Sequence, residues 1–304
     1  PHSRASAFAG ALMFAVSAAA VAAPPTLPFS EVRAGMRGTG KTVFHGETIE
    51  TFDVEIVGLL PNVGPGQNLI LGRCTGGPLA QTGILAGMSG SPVTIDGKLV
   101  GAIAYSWGFA KDAIAGITPI EEMLSVGTRD DATLRKGRPT AAIPWDDARE
   151  HLRAPAALGA FFVSRLSSLA ATPAGASTSI PLSVSGIGPN GLARIAPDLA
   201  RAGFVALQSG GASSTPASAT APIQPGSAVG VQLVRGDVDM TATGTVTWVD
   251  EDSLYAFGHP LYGLGDIDMP LTAARVETLL PSLERSAKIA VPLNQAGAFR
   301  QDRA

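Results

Sequence analysis

Apolar and polar positions alternate from Thr48 and then merge into a continuous apolar run ending near Leu60, through Ile49, Phe52, Val54, Ile56, Val57 and Leu59. This pattern predicts a strand with one face buried at first and both faces buried later. Asn68–Leu71 reads as a second short strand. Val93–Val100 is a hairpin signal, because Asp96-Gly97 supplies the positive φ angles of a tight turn between two apolar arms. Gly101–Tyr105 continues the second arm. Pro119–Ser125 opens a short helix, with Pro119 near N1 and Glu121 and Glu122 in its first turn. A second β-rich block follows, with strands over Ala228–Val234 and Ala242–Val249, a turn at Asp250-Glu251-Asp252 and a return over Ser253–Phe257. Between the blocks, residues 129–160 are mixed, with a helix predicted over Asp146–Leu152. Gln208–Pro222 collapses to Ser, Ala, Gly, Thr and Pro, the composition of a flexible linker or long surface loop.

Composition supports the many-strand reading. The 304 residues include 36 Gly and 23 Pro but only 6% aromatics, which suits short strands and turns. A 45% hydrophobic content fills one large core or two modest ones. A formal net charge of −3 with no clustered basic face excludes a nucleic-acid partner. The single cysteine, Cys74, excludes an intrachain disulfide and a cysteine-rich metal site, and reads as a small buried hydrophobe.

At the N-terminus, Arg4 precedes an apolar run over Ala7–Ala23 that ends in small residues before Pro24-Pro25. That is the pattern of an export signal, so the expected location is periplasmic, cell-envelope or secreted. Left uncleaved, the run would tether the chain to a membrane. The expected layout is therefore a signal over residues 1–23, a serine-containing β domain over 29–127, a mixed segment and linker over 128–222, and a histidine-containing β domain over 223–304. The first residue is Pro1 and the last five, Arg300 to Ala304, form a polar tail, so the chain reads as a fragment lacking C-terminal sequence.

Two glycine-rich motifs bear on chemistry. Gly35 to Thr42 satisfies the P-loop spacing GxxxxGK[ST]. That motif binds phosphate only between a buried strand and a helix N-terminus, whereas the flanking residues here read as polar before and β after, so a turn leading into a strand is expected. In Gly87-Met88-Ser89-Gly90-Ser91-Pro92, glycines flank a serine immediately before the hairpin. Small neighbours let a substrate carbonyl reach the hydroxyl and let the amides of Gly87 and Ser89 converge as an oxyanion hole. A plain Gly/Ser turn accounts for the same spacing.

A nucleophilic serine needs a base. Of four histidines, His2 lies in or before the signal and His151 in a charged helical segment. His45 begins a loop between strands, and His259 sits between Gly258 and Pro260 just past a strand end. His259 is the leading candidate and His45 the alternative. An orienting acid is weakly marked: Asp266 and Asp268 follow His259 at a spacing of two, Asp268 is taken as the triad member, and a dyad without an acid stays open. The histidines are scattered without HExxH or paired Cys, and Asp237, Asp239, Asp250 and Asp252 read as solvent-facing turn residues, so no metal and no cofactor is expected.

The serine box and the following Gly97–Gly108 resemble the Gly-Asp-Ser-Gly-Gly-Pro box of chymotrypsin-like serine proteases and the strand after it. More closely, the chain resembles the SpoIVB peptidase family. The matching stretches are Gly40–Phe44, Ile49–Glu55, Gly83–Tyr105 and Gly116–Leu124, with a further patch from Gly244 to Leu261. The resemblance implies a mostly β protein with a chymotrypsin-like double β-barrel and short helices. It also implies Ser89 as nucleophile, the Gly-His pair at His259 as base, and cleavage of a protein or peptide substrate of the cell envelope. The chain departs from the pattern in two ways. Its histidine follows the serine, so the halves are either permuted or the His259 block is a second module packed back on the first. The stretch before the serine box, Arg73-Cys74-Thr75-Gly76-Gly77, carries no acid where the family has an aspartate. Those departures favour an inactive scaffold or peptide-binding module of the same fold, the non-enzymatic alternative.

Overall fold

The computed structural model describes residues 25–64, 66–128, 180–210, 222–250 and 253–303. The expected signal, the helix over Asp146–Leu152, most of the linker, His2, His151 and Asp252 lie outside the described residues.

Six strands form a closed antiparallel barrel in the order β1-β2-β3-β6-β5-β4. They are β1 (Arg37–His45), β2 (Thr48–Gly64), β3 (Gln67–Thr75), β4 (Pro92–Ile95), β5 (Lys98–Ser106) and β6 (Ile114–Pro119). A short helix α1 (Leu79–Thr82) follows β3, and α2 (Ile120–Thr128) follows β6. Phe52, Val54 and Ile56 of β2 point into the core beside Ile70, Val93, Val100, Ile103 and Ile117. The far end of β2 is not covered on both faces as its apolar run predicts: Val57 and Leu60 are 37% and 41% exposed. The register of β2 against β3 shifts between Ile56 and Gly58, and such a bulge breaks the alternation of faces. The β4–β5 turn is as expected, with Asp96 and Gly97 at φ 50° and 75°, both positive as a two-residue hairpin turn requires.

The P-loop spacing has a packing explanation. Lys41 and Thr42 lie inside β1 and no helix follows, so there is no helix N-terminus to hold a phosphate. Gly40 is needed because a Cβ there would sit 2.1 Å from the Phe52 ring, and Gly38 because a Cβ would sit 2.1 Å from the Thr94 carbonyl oxygen.

The second unit is a seven-stranded sheet, ordered β13-β12-β9-β10-β7-β8 with β11 paired on β10. Its elements are β7 (Ile180–Ser185), helix α3 (Pro189–Arg201), β8 (Phe204–Gln208), β9 (Ala228–Val234), β10 (Asp239–Asp250), β11 (Ser253–Ala256), β12 (Gly265–Leu280) and β13 (Ala287–Asp302). A closed barrel plus a second sheet accords with the double-barrel expectation. The second sheet also takes in residues 180–208, which composition alone places in the mixed segment. There α3 is the crossover that parallel β7 and β8 require. Asp239 is a correction: it is buried rather than solvent-facing, because its carboxylate accepts Gln232 Nε2 at 2.8 Å and Thr241 Oγ1 at 2.6 Å.

The two units share apolar packing. Val43 of β1 packs with Ala228, Ala274, Val276 and Ala290 of the second sheet. Gly46 and Val276 exchange backbone hydrogen bonds of 2.8 and 2.9 Å, and Ala86 does the same with Ser286 and Lys288.

Candidate active site

The serine arm is built from two overlapping turns. Met88 N donates to Leu85 O at 3.0 Å and Ser91 N to Met88 O at 2.8 Å. Gly87 and Gly90 adopt φ of 97° and 94°, which only glycine takes without strain. Gly90 N donates to Ile103 O and Ile103 N to Ser91 O, fixing the arm to β5. From the other side β10 fastens its carbonyls: Thr245 Oγ1 donates to Gly87 O, Thr245 N to Ser89 O and Thr247 Oγ1 to Gly90 O, at 2.7–2.8 Å. The amides of Met88, Gly90 and Ser91 are thus engaged, while those of Gly87 and Ser89 donate to nothing among the described residues.

The histidine arm leaves β11 through a left-handed pair, Phe257 at φ 68° and Gly258 at φ 70°. A bulky residue there is strained and must be held. The Phe257 ring lies so close over Gly244 that a Cβ on Gly244 would sit 2.4 Å from it. Phe257 N donates to Thr245 O at 3.2 Å, and Thr118 Oγ1 donates to Gly258 O at 2.7 Å. The arms touch at Gly90, where a Cβ would fall 1.8 Å from Thr245 O and 2.5 Å from Phe257 N. Thr245 therefore bonds the serine arm and the histidine arm at once.

His259 is 4% exposed, and its Nδ1 lies 2.9 Å from Pro260 O. A carbonyl only accepts, so Nδ1 carries the proton and the neutral ring has its lone pair on Nε2. Burial holds the His259 pKa below its ordinary value, opposed by the Pro260 carbonyl and the charge of Asp302. Ser89 Oγ and His259 Nε2 are both buried without a hydrogen-bond partner, one a donor and the other an acceptor. Ser91 Oγ, fully buried two residues further on, has no partner either, so the serine arm carries two orphan hydroxyls and the histidine arm one orphan ring nitrogen.

Two residues of β13 steady these arms. Asp302 is fully buried and accepts the backbone N–H groups of Leu261, Tyr262 and Leu264 at 2.6, 2.9 and 3.1 Å, closing the loop after His259. Lys288 is also fully buried. Its Nζ donates to Thr42 Oγ1 at 2.6 Å and its backbone N to Ala86 O at 3.0 Å, while its aliphatic stem lies 3.2 Å from where a Gly87 Cβ would be. Burial pushes the Lys288 ammonium down to about 7, with Glu50 opposing. In the sequence Asp302 reads as part of a polar tail, and Lys288, Thr245 and Thr247 carry no expected role. The alternation of Thr241, Thr243, Thr245 and Thr247 along β10 is a usable signal. Nothing local marks Asp302 or Lys288.

The remaining candidates lie elsewhere. Asp268 is on β12 with its side chain 69% exposed, and it pairs with Arg300 at 3.2 Å; Asp266 on the same strand is exposed. The carboxylate whose charge reaches His259 is Asp302, and the partner of Nδ1 is the Pro260 carbonyl. His45 is exposed at the end of β1. Cys74 is buried, and burial pushes its thiol up to about 12, as befits an inert core residue. Among the described residues no three His, Cys, Asp or Glu side chains cluster as metal ligands.

The closed barrel and the second sheet together are consistent with a chymotrypsin-like double barrel. Residues 23–124, about a third of the chain, match the model of the family described as SpoIVB peptidase S55, so the serine-bearing barrel is similar to that family. The match ends before the histidine arm. No curated protein and no solved structure matches the chain.

Proposed function

We propose that the protein is an exported serine endopeptidase that cleaves a protein of the cell envelope. The barrel's match to a peptidase family supports hydrolysis, and the apolar run at Ala7–Ala23 supports export. The observation that carries the reading is the pair of complementary orphan atoms, Ser89 Oγ and His259 Nε2, on arms that touch at Gly90. Ser89 Oγ passes its proton to His259 Nε2 as it attacks the scissile carbonyl. The Gly87 and Ser89 amides take the developing oxyanion. His259 then protonates the leaving amine, and water attacks the acyl ester by the same route in reverse. The Pro260 carbonyl fixes the tautomer, the role a carboxylate plays in a triad, so the machinery is a dyad and Asp268 has no part in it.

Fluorophosphonate labelling tests this reading. Labelling at Ser89 that is lost in both Ser89→Ala and His259→Ala is expected; a folded wild type that never labels overturns it. Because burial favours the neutral imidazole, the acidic limb of kcat/KM is expected below the ordinary histidine value of 6.5. The scaffold alternative has one observation in its favour, that Ser89 Oγ and His259 Nε2 are not bonded to each other.

A further inference from the structure

The start of β13 grips the segment that leads into the serine box. Ser286 Oγ donates to Thr82 O at 2.6 Å, at the close of α1. Ala86 N donates to Ser286 O at 2.8 Å and Lys288 N to Ala86 O at 3.0 Å, which makes a parallel bridge between Ala86 and Ala287. A trans peptide points its C=O and N–H to opposite sides. Holding Ala86 O against β13 therefore turns the Gly87 N–H away from β13. The Met88 carbonyl, held by Ser91 N at 2.8 Å, aims the Ser89 N–H in the same manner. Both amides of the oxyanion hole are thus aimed before any substrate arrives, one of them by the second sheet.

The Lys288 side chain continues from that bridge. Its Cβ and Cδ lie 3.3 and 3.2 Å from where a Gly87 Cβ would be, so the stem runs directly behind Gly87. Nζ, two bonds beyond Cδ, ends on Thr42 Oγ1 at 2.6 Å, and both residues are fully buried. A buried ammonium is costly and is normally paired with a carboxylate. Among the described residues this one donates to a neutral hydroxyl instead. Around it, Thr42 of β1, Gly87 of the serine arm, Pro181 of β7 and Leu279 of β12 do not titrate. Glu50, exposed on β2 opposite Thr42, supplies the one charge that favours the ammonium. A cation so placed gives little to the fold, and its field is free to act on charge that develops at Gly87.

We infer that Lys288 presets the oxyanion hole from behind: its main chain aims the Gly87 amide, and its buried ammonium adds positive potential where the oxyanion forms. It is a positioning residue, since it acts through Gly87 and touches no reacting atom. The inference rests on the serine-peptidase reading and extends it. The ammonium that burdens the fold favours the transition state, so its removal moves stability and activity in opposite directions. Lys288 titrates at about 7, and burial holds His259 below 6.5. The most reactive form, with a charged lysine and a neutral histidine, exists between the two. Activity therefore rises with pH through the histidine limb and falls as pH passes about 7.

The test is the second-order rate of fluorophosphonate labelling at Ser89 as a function of pH, read beside melting curves. The probe's phosphoryl oxygen enters the oxyanion hole, so the rate reports on that site. Wild type is expected to give a bell-shaped profile whose basic limb lies near 7. Lys288→Met keeps the stem and the main-chain bonds and loses the charge. It is expected to label at least about tenfold more slowly at pH 6, to lose the basic limb and to melt higher than wild type. Glu50→Gln sits on the surface and removes the charge that holds the ammonium up, so the basic limb is expected to move to lower pH. That variant decides the matter should Lys288→Met fail to fold. A Lys288→Met protein that labels at the wild-type rate, or more slowly with the basic limb still in place, overturns the inference and leaves the peptidase reading standing. A basic limb that Glu50→Gln does not move has the same meaning. A folded wild type that never labels removes both.

Discussion

The serine arm and the histidine arm meet at one glycine but are held in different ways. Within its own barrel the serine arm is secured by short-range bonds, Met88 to Leu85 and Ser91 to Met88, and by β5 through Ile103. The histidine arm borrows its restraint from far along the chain: Asp302 accepts from Leu261, Tyr262 and Leu264, at sequence separations of 41, 40 and 38. The serine arm takes its local turns from one hairpin, and β10 then fastens its Gly87, Ser89 and Gly90 carbonyls through Thr245 and Thr247. The loop after His259 takes its shape only once the last strand of the sheet has docked.

The sharpest break of that comparison is at the contact itself. Gly90→Ala puts a Cβ onto Thr245 O and Phe257 N at a residue with φ 94°, where an L side chain is strained even in open space. Overpacking and left-handed strain together are expected to cost on the order of 3 kcal/mol or more, read as a lowered denaturant midpoint. Labelling of Ser89 should disappear as well, since the arms can no longer touch.

Asp302→Ala separates the arms instead of forcing them apart. It strands two buried N–H donors and one half-buried one, an expected loss of about 3 kcal/mol. Peptidase activity is expected to fall at least about tenfold while the barrel keeps its fold, because Asp302 holds only the loop after His259. Partial recovery in Asp302→Asn, which keeps one acceptor oxygen, would tie the loss to those hydrogen bonds. Equal damage to barrel and sheet, followed by amide hydrogen exchange, would deny that the two arms are separately held.

This asymmetry explains what could be read from the sequence. The Asp96-Gly97 hairpin, the strand at Ala228–Val234 and the serine box all carry their signals within a few residues, and each is where its local chemistry requires. The covering partners of β2 carry no local signal, which is why Val57 and Leu60 were expected inside. Residues 180–208 were obscured by the Ala/Ser/Pro-rich segments flanking them. The site divides the same way. Ser89 and His259 stand out by their glycine neighbours, whereas Asp302 and Lys288 act through contacts that only the folded chain creates.

Lys288 sharpens the comparison on the serine side. Unfolded, its ammonium titrates at its ordinary value of 10.5; folded, at about 7. Between those pH values the unfolded chain binds more protons, so stability rises with pH across that window and the burial penalty is complete below 7. Lys288→Met keeps the stem against Gly87 and removes the charge. It is expected to raise stability by about 2 kcal/mol at pH 6 and to lose that advantage as pH approaches 10.5. A gain independent of pH would mean that packing, not charge, limits this position.

The smallest effect is expected at Asp268, and it discriminates between two ways of orienting the base. Asp268 and Asp302 both lie on the hairpin of β12 and β13, yet one carboxylate is 69% exposed beside Arg300 and the other is fully enclosed by backbone donors. An exposed ion pair contributes little, because water screens it and two long side chains must be ordered to form it. Asp268→Asn is therefore expected to change stability by less than about 0.5 kcal/mol and to leave the rate of fluorophosphonate labelling unaltered. If labelling instead fell by the orders of magnitude typical of a lost triad acid, Asp268 would have to leave Arg300 and reach His259 Nδ1 in the active state. The Pro260 carbonyl would then be only a resting partner, and the histidine arm would be a switch rather than a fixed loop.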